Sequence, residues 1–106
     1  MAWIYLLVAG TLEVVATTVF RYTDGLSRIV PTVSFFAIGI ASFYFLNRSL
    51  AGIPLGTAYA VWTGIGAAGT VVLGMMAYNE DAAPARIVLL AVLIGSIIGL
   101  RYVSAH

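Results

Sequence analysis

A single carboxylate, Glu13, stands near the middle of an apolar run from Ala2 to Phe20, inside the stretch LEVVATT, and no other acid falls within an apolar segment. At bilayer depth a carboxylate is costly unless it is protonated, paired or facing water, so it reads first as a functional group. The alternative is a satisfied structural polar group, but the chain offers no second buried charge to pair with it. Helical spacing puts Leu6, Ala9, Gly10, Ala16, Thr17 and Phe20 on the same face. The small residues Gly10 and Ala16 leave room beside the carboxylate for another helix or a guest. Thr17 either donates to the carboxylate or bonds back to its own helix, and the second is the simpler arrangement.

A second informative stretch is GTAYAVWTGIG, residues 56–66. Tyr59, Trp62, Thr63 and Gly66 share one helical stripe, setting two large aromatics and a hydroxyl beside a flexible point at Gly64 and Gly66. Aromatic faces attract organic cations by about 0.5–2 kcal/mol each. The competing explanation is an interfacial aromatic belt, yet Trp62 sits deeper in its segment than an anchor needs. Ser42 lies mid-segment among Phe35, Phe36, Phe43 and Tyr44, as a hydrogen-bond partner for Glu13. Together these residues describe a carboxylate and aromatics suited to binding an organic cation.

The elements that must hold these residues follow from composition. Of 106 residues 62% are hydrophobic and 8% charged, which excludes an ordinary soluble domain. Four apolar segments, about 2–20, 30–49, 55–77 and 85–103, each read as a transmembrane helix, giving an all-α integral membrane protein with a single four-helix domain over 1–106. Nineteen residues of helix span roughly 29 Å, close to the hydrocarbon thickness of a bilayer. The first run has no basic leader and is followed by further apolar segments, so a removable signal peptide is not expected. The breaks are short: Arg21, Asp24, Gly25 and Arg28 before Pro31; Arg48, Gly52 and Pro54; Glu80, Asp81, Pro84 and Arg86. Zero cysteines exclude disulfide and thiolate chemistry, and the lone histidine, His106, makes no metal site. No nucleophile and base pair is visible, so no enzyme is expected, and no cofactor either. A net charge of +1 gives no basic surface for nucleic acid.

Arginines divide two against three between the two ends of the segments, so charge assigns no orientation and both insertions are open to the chain. Four helices are also too few to enclose a watery path while keeping lipid outside, and transport would require at least a dimer. Ala91, Gly95 and Gly99 recur at four-residue spacing in the last segment, a seam that permits close backbone approach.

These residues resemble the small multidrug resistance family of bacterial proton-coupled exporters. The resemblance is carried by Glu13 in LEVVATT, GLSR before Pro31, Ser42 in ASFYFL, Pro54, and Tyr59 and Trp62 in PLGTAYAVWTGIG, and it covers essentially the whole chain. It implies a multi-pass inner-membrane protein of dual topology working as an antiparallel dimer, as a homodimer or with a related chain. By that resemblance Glu13 is the shared proton and cation site, Tyr59 and Trp62 line it, Ser42 lies near it, and the last helix carries much of the dimer contact. GTAYAVWTGIGA, Gly10 and Arg101 look like the guanidinium-exporter branch. Ala16-Thr17-Thr18 looks like the quaternary-ammonium branch, because Ala16 stands where the guanidinium branch typically has tryptophan. The expected function is proton-coupled export of small organic cations of the guanidinium type, substituted guanidines included, with a widened pocket beside Ala16. The alternatives are a polyspecific quaternary-ammonium or lipophilic-cation exporter, and a non-transporting membrane assembly subunit.

Overall fold

The computed structural model describes residues 1–80 and 82–103, so Asp81 and His106, named above, lie outside the described residues. Four helices follow one another: α1 (Ala2–Phe20), α2 (Ile29–Ser49), α3 (Leu55–Ala77) and α4 (Pro84–Val103). Each is long and apolar enough to cross a membrane, and no strand occurs among the described residues. Helices are what such segments must form, since lipid offers backbone groups no partners and only the helical ladder satisfies them within one segment.

Proline marks the helix starts. Pro31 sits in the first turn of α2, Pro54 immediately precedes α3 and Pro84 opens α4, positions where the missing N–H is not needed. The α1–α2 loop turns through three successive left-handed residues, Asp24 (φ 49°), Gly25 (φ 70°) and Leu26 (φ 69°). Buried Thr23 holds this turn by donating to the Phe20 carbonyl at 2.9 Å and accepting the Leu26 N–H at 3.3 Å. After α3, Asn79 turns left-handed (φ 55°), and the Glu80 N–H returns to the Gly74 carbonyl at 3.1 Å.

The core is concentrated at the end that holds the N-terminus and the α2–α3 loop. It consists of Leu6 and Ala9 from α1, Leu46 from α2, Ile53 from the loop, and Ala58, Val61 and Trp62 from α3. α1 packs on both α2 and α3, whereas the backbone of α4 approaches α3 alone. No residue of α4 is buried. The result is a slab of 45 × 35 × 17 Å, too thin to surround a path of its own. Near the termini, the Arg48 guanidinium lies 5.4 Å from the Tyr5 ring centre and that of Arg101 5.1 Å from the Trp3 ring centre, so both cations rest on α1 aromatics.

Candidate functional site

Glu13 lies midway along α1 and points toward α3 at Gly66. A Cβ built on Gly66 would come within 2.8 Å of Glu13 Cγ, so the absence of a side chain there is what admits the carboxylate. The two helices frame an open cleft of about 420 Å³ lined by Glu13, Thr17, Tyr59, Trp62, Thr63, Gly66, Ala67, Thr70 and Val71. The stripe read from spacing is therefore a real surface, and it runs further than the sequence motif. Thr70 and Val71 follow Gly66 and Ala67 by one turn, a continuation that the same four-residue spacing contained.

Two of the hydroxyls in this cleft are used locally. Thr17 donates to the Glu13 carbonyl at 2.9 Å and Thr70 to the Gly66 carbonyl at 2.7 Å. Such back-bonding satisfies a hydroxyl in an apolar helix without a neighbour. The Glu13 carboxylate consequently has neither a hydrogen bond nor an ion pair among the described residues. It is a charge site without an internal countercharge.

Ser42 does something other than expected. Its hydroxyl donates to the Ala9 carbonyl at 2.8 Å and accepts the Trp62 indole N–H at 2.9 Å, so it is no partner of Glu13. The reason is depth: Ser42 is fully buried between α1 and α3, where its two bonds tie three helices together. Trp62 is thereby fixed, with Phe43 at 5.1 Å and Tyr59 at 5.6 Å between ring centres. Tyr59, by contrast, is 56% exposed and presents an open face to the cleft mouth.

Ala16 and Gly10 also sit away from the cleft. Ala16 is 1% exposed and buried within the chain's own packing, so the space left by its methyl is not part of the cleft that Glu13 lines. Gly10 is where Ile65 of α3 packs onto α1, since a Cβ there would stand 2.6 Å from Ile65 Cγ2. Gly64 and Gly66 lie in an unbroken α3, each at a close approach: Gly64 to Ile97 of α4, Gly66 to Glu13. Ala91, Gly95 and Gly99 are exposed along α4, and neither glycine has an atom within 4 Å of the position a Cβ would take.

One cluster had no signal in the sequence, because its members are far apart in the chain. The Tyr22 and Tyr78 hydroxyls share a hydrogen bond of 2.6 Å, and the Arg21 guanidinium lies 3.9 Å from the Tyr78 ring centre. The bond to Tyr22 raises the Tyr78 phenol above its ordinary range, against the opposing pull of Arg21. Beside it Arg86 reaches Glu80 at 2.9 Å. No group of acids, histidines or cysteines able to hold a metal occurs among the described residues.

The family model described as Small Multidrug Resistance protein matches residues 1–93. A protein named guanidinium exporter from Salmonella typhimurium (strain LT2) is 43% identical over 106 residues, the whole of both chains. Its namesake from Citrobacter freundii is 44% identical over the same length. That from Yersinia pseudotuberculosis is 44% identical over 104 residues, 98% of this chain and all of the relative. Full-length likeness of this order, on a chain with four membrane-spanning helices, identifies a multi-pass protein of the bacterial inner membrane and a transporter rather than an enzyme. The chain belongs to the small multidrug resistance family.

Proposed function

We propose that this chain exports guanidinium-type cations, substituted guanidines included, in exchange for protons, and does so as a dimer of antiparallel copies. The observation that carries the reading is the Glu13 carboxylate, set in an open cleft against Trp62 and Tyr59 and given no countercharge by its own chain. Such a carboxylate is neutralised either by a proton or by a guest cation, and mutual exclusion of the two is the basis of exchange. The names of the full-length relatives support guanidinium as the guest.

The dimer is supported by shape. A 17 Å slab with one apolar helix wholly unburied leaves the cleft open on one side, and a second copy would close it. The open line of Ala91, Gly95 and Gly99 on α4 offers the close-packing surface for that contact. The two-against-three division of arginines, a near tie, supports opposite orientations for the two copies.

A second reading, export of bulkier quaternary-ammonium or lipophilic cations, is favoured by the cleft itself. At about 420 Å³ it exceeds what a bare guanidinium fills, and alkyl groups could occupy the remainder. A proteoliposome panel from guanidinium through butyl- and phenylguanidine to tetraalkylammoniums separates the two. Guanidinium-driven proton efflux is the expected result. Failure of any guanidine to move protons, with tetraalkylammoniums active, would replace the first reading by the second.

A further inference from the structure

The cleft around Glu13 does not end at Thr70. A second cavity of about 200 Å³ shares Thr17 and Thr70 with it and opens at the end of the molecule where the α1–α2 and α3–α4 loops lie. Its outer wall is Arg21, Tyr78 and Glu80. Two guanidinium groups of the protein already engage its lining, Arg21 from within it and Arg86 through Glu80. Arg21 lies on the Tyr78 ring, and Arg86 touches one oxygen of Glu80 through one nitrogen. The Glu80 carboxyl is held over the last turns of α3 because residue 74 is glycine: a Cβ there would meet the carboxyl carbon at 2.5 Å. It thus stands near the carbonyl end of α3, where negative charge accumulates and a cation is favoured.

We propose that this cavity is a vestibular subsite for the guanidinium substrate, with Glu80 as the carboxylate and Tyr78 as the aromatic platform, and with Arg21 as a tethered competitor that substrate displaces. The proposal rests on the reading of the chain as a guanidinium exporter. Its chemical basis is that the mouth recognises the functional group the deep site recognises, by the same pair of interactions. A free guanidinium can engage both Glu80 oxygens in parallel, whereas Arg86 reaches only one of them, and two-point engagement is the stronger arrangement. Both protein guanidiniums are solvent-accessible, and exposed pairs of this kind exchange readily. The hydrogen bond between the Tyr22 and Tyr78 hydroxyls tethers the platform. Thr17 and Thr70 then connect the subsite to Glu13 along one wall. In an antiparallel pair one such mouth would face each side of the membrane, so the same cluster would serve capture on one side and release on the other.

The test is guanidinium transport by the full-length protein in proteoliposomes, with variants whose effects run in opposite directions. Glu80→Gln removes the carboxylate and is expected to raise KM about threefold with kcat little changed. Gly74→Ala, which displaces Glu80 without removing it, is expected to act in the same direction. Arg21→Gln clears the Tyr78 ring and is expected to lower KM about twofold. Proton release on equilibrium guanidinium binding to the detergent-solubilised protein reads Glu13 and is expected to be unchanged in all three. A merely structural cluster would move Glu80→Gln and Arg21→Gln the same way, through kcat or protein yield, and that result would overturn the proposal. So would KM values equal to wild type in both. If the wild-type protein itself releases no protons to guanidinium, the export reading falls, and the subsite with it.

Discussion

On the proposed mechanism Glu13 is held by either a proton or a cation, and both expected outcomes at this position follow from its lack of partners. Glu13→Gln keeps the side chain's shape against Gly66 and removes its charge. It should abolish substrate-driven proton release while leaving the helices assembled, as read by circular dichroism and size-exclusion elution. Coupled transport surviving in that variant would end the mechanism. The pH dependence has a definite sign: protonation removes the negative charge the cation needs, so apparent affinity should weaken as pH falls and strengthen as it rises until Glu13 is fully ionised. Ser42 makes a different case. Ser42→Ala strands the buried Trp62 N–H, at a cost of about 1 kcal/mol, and frees the indole that Phe43 and Tyr59 now hold. A higher KM accompanied by a lowered thermal midpoint is the expected signature. A KM effect without any loss of stability would mean that Ser42 touches substrate directly.

Between elements, the contacts that position Glu13 are made where side chains are missing. Gly66→Ala would place a methyl 2.8 Å from Glu13 Cγ and should weaken cation binding by about 1 kcal/mol, roughly fivefold. Gly39→Ala meets nothing within 4 Å and is the matched control, expected to bind as wild type by isothermal calorimetry. This geometry also explains what the sequence could tell and what it could not. Helix positions were legible to within a residue, because twenty-residue apolar runs broken by Pro31, Pro54 and Pro84 leave the chain little choice in lipid. Tyr59, Trp62, Thr63 and Gly66 were legible as one surface because they share a helix, and helical period alone decides that. Ser42 and Ala16 were not, since whether a mid-helix residue faces a cleft or another helix depends on how α1, α2 and α3 are rotated against each other. The Tyr22–Tyr78 and Arg21–Tyr78 contacts join loops 56 and 57 positions apart, and no local pattern records them.

As a whole, the molecule is an unfinished one: packed at the end that carries the termini, open along α4, and nearly without electrical polarity across the membrane. Single-cysteine reporters at the C-terminus should label from both sides of the bilayer in comparable amounts. Adding two lysines near one end should bias insertion, and activity should then fall unless an oppositely biased copy is co-expressed. Labelling from one side only in the unaltered chain would require a differently oriented partner chain instead. The bare face of α4 carries a further consequence, one that concerns inhibition. Because the backbone of α4 approaches α3 alone and no residue of it is buried, its outer face is the surface on which the proposed second copy would pack. A membrane-inserting peptide with the sequence of residues 85–103 presents that same face without a cleft attached. It should cap subunits as inactive hybrids and reduce transport in proportion to its membrane concentration, whereas a peptide with leucine at the positions of Gly95 and Gly99 should not. On the proposed antiparallel dimer, the vulnerable target is the unoccupied edge of each newly inserted chain, and a drug directed there need never compete with the substrate.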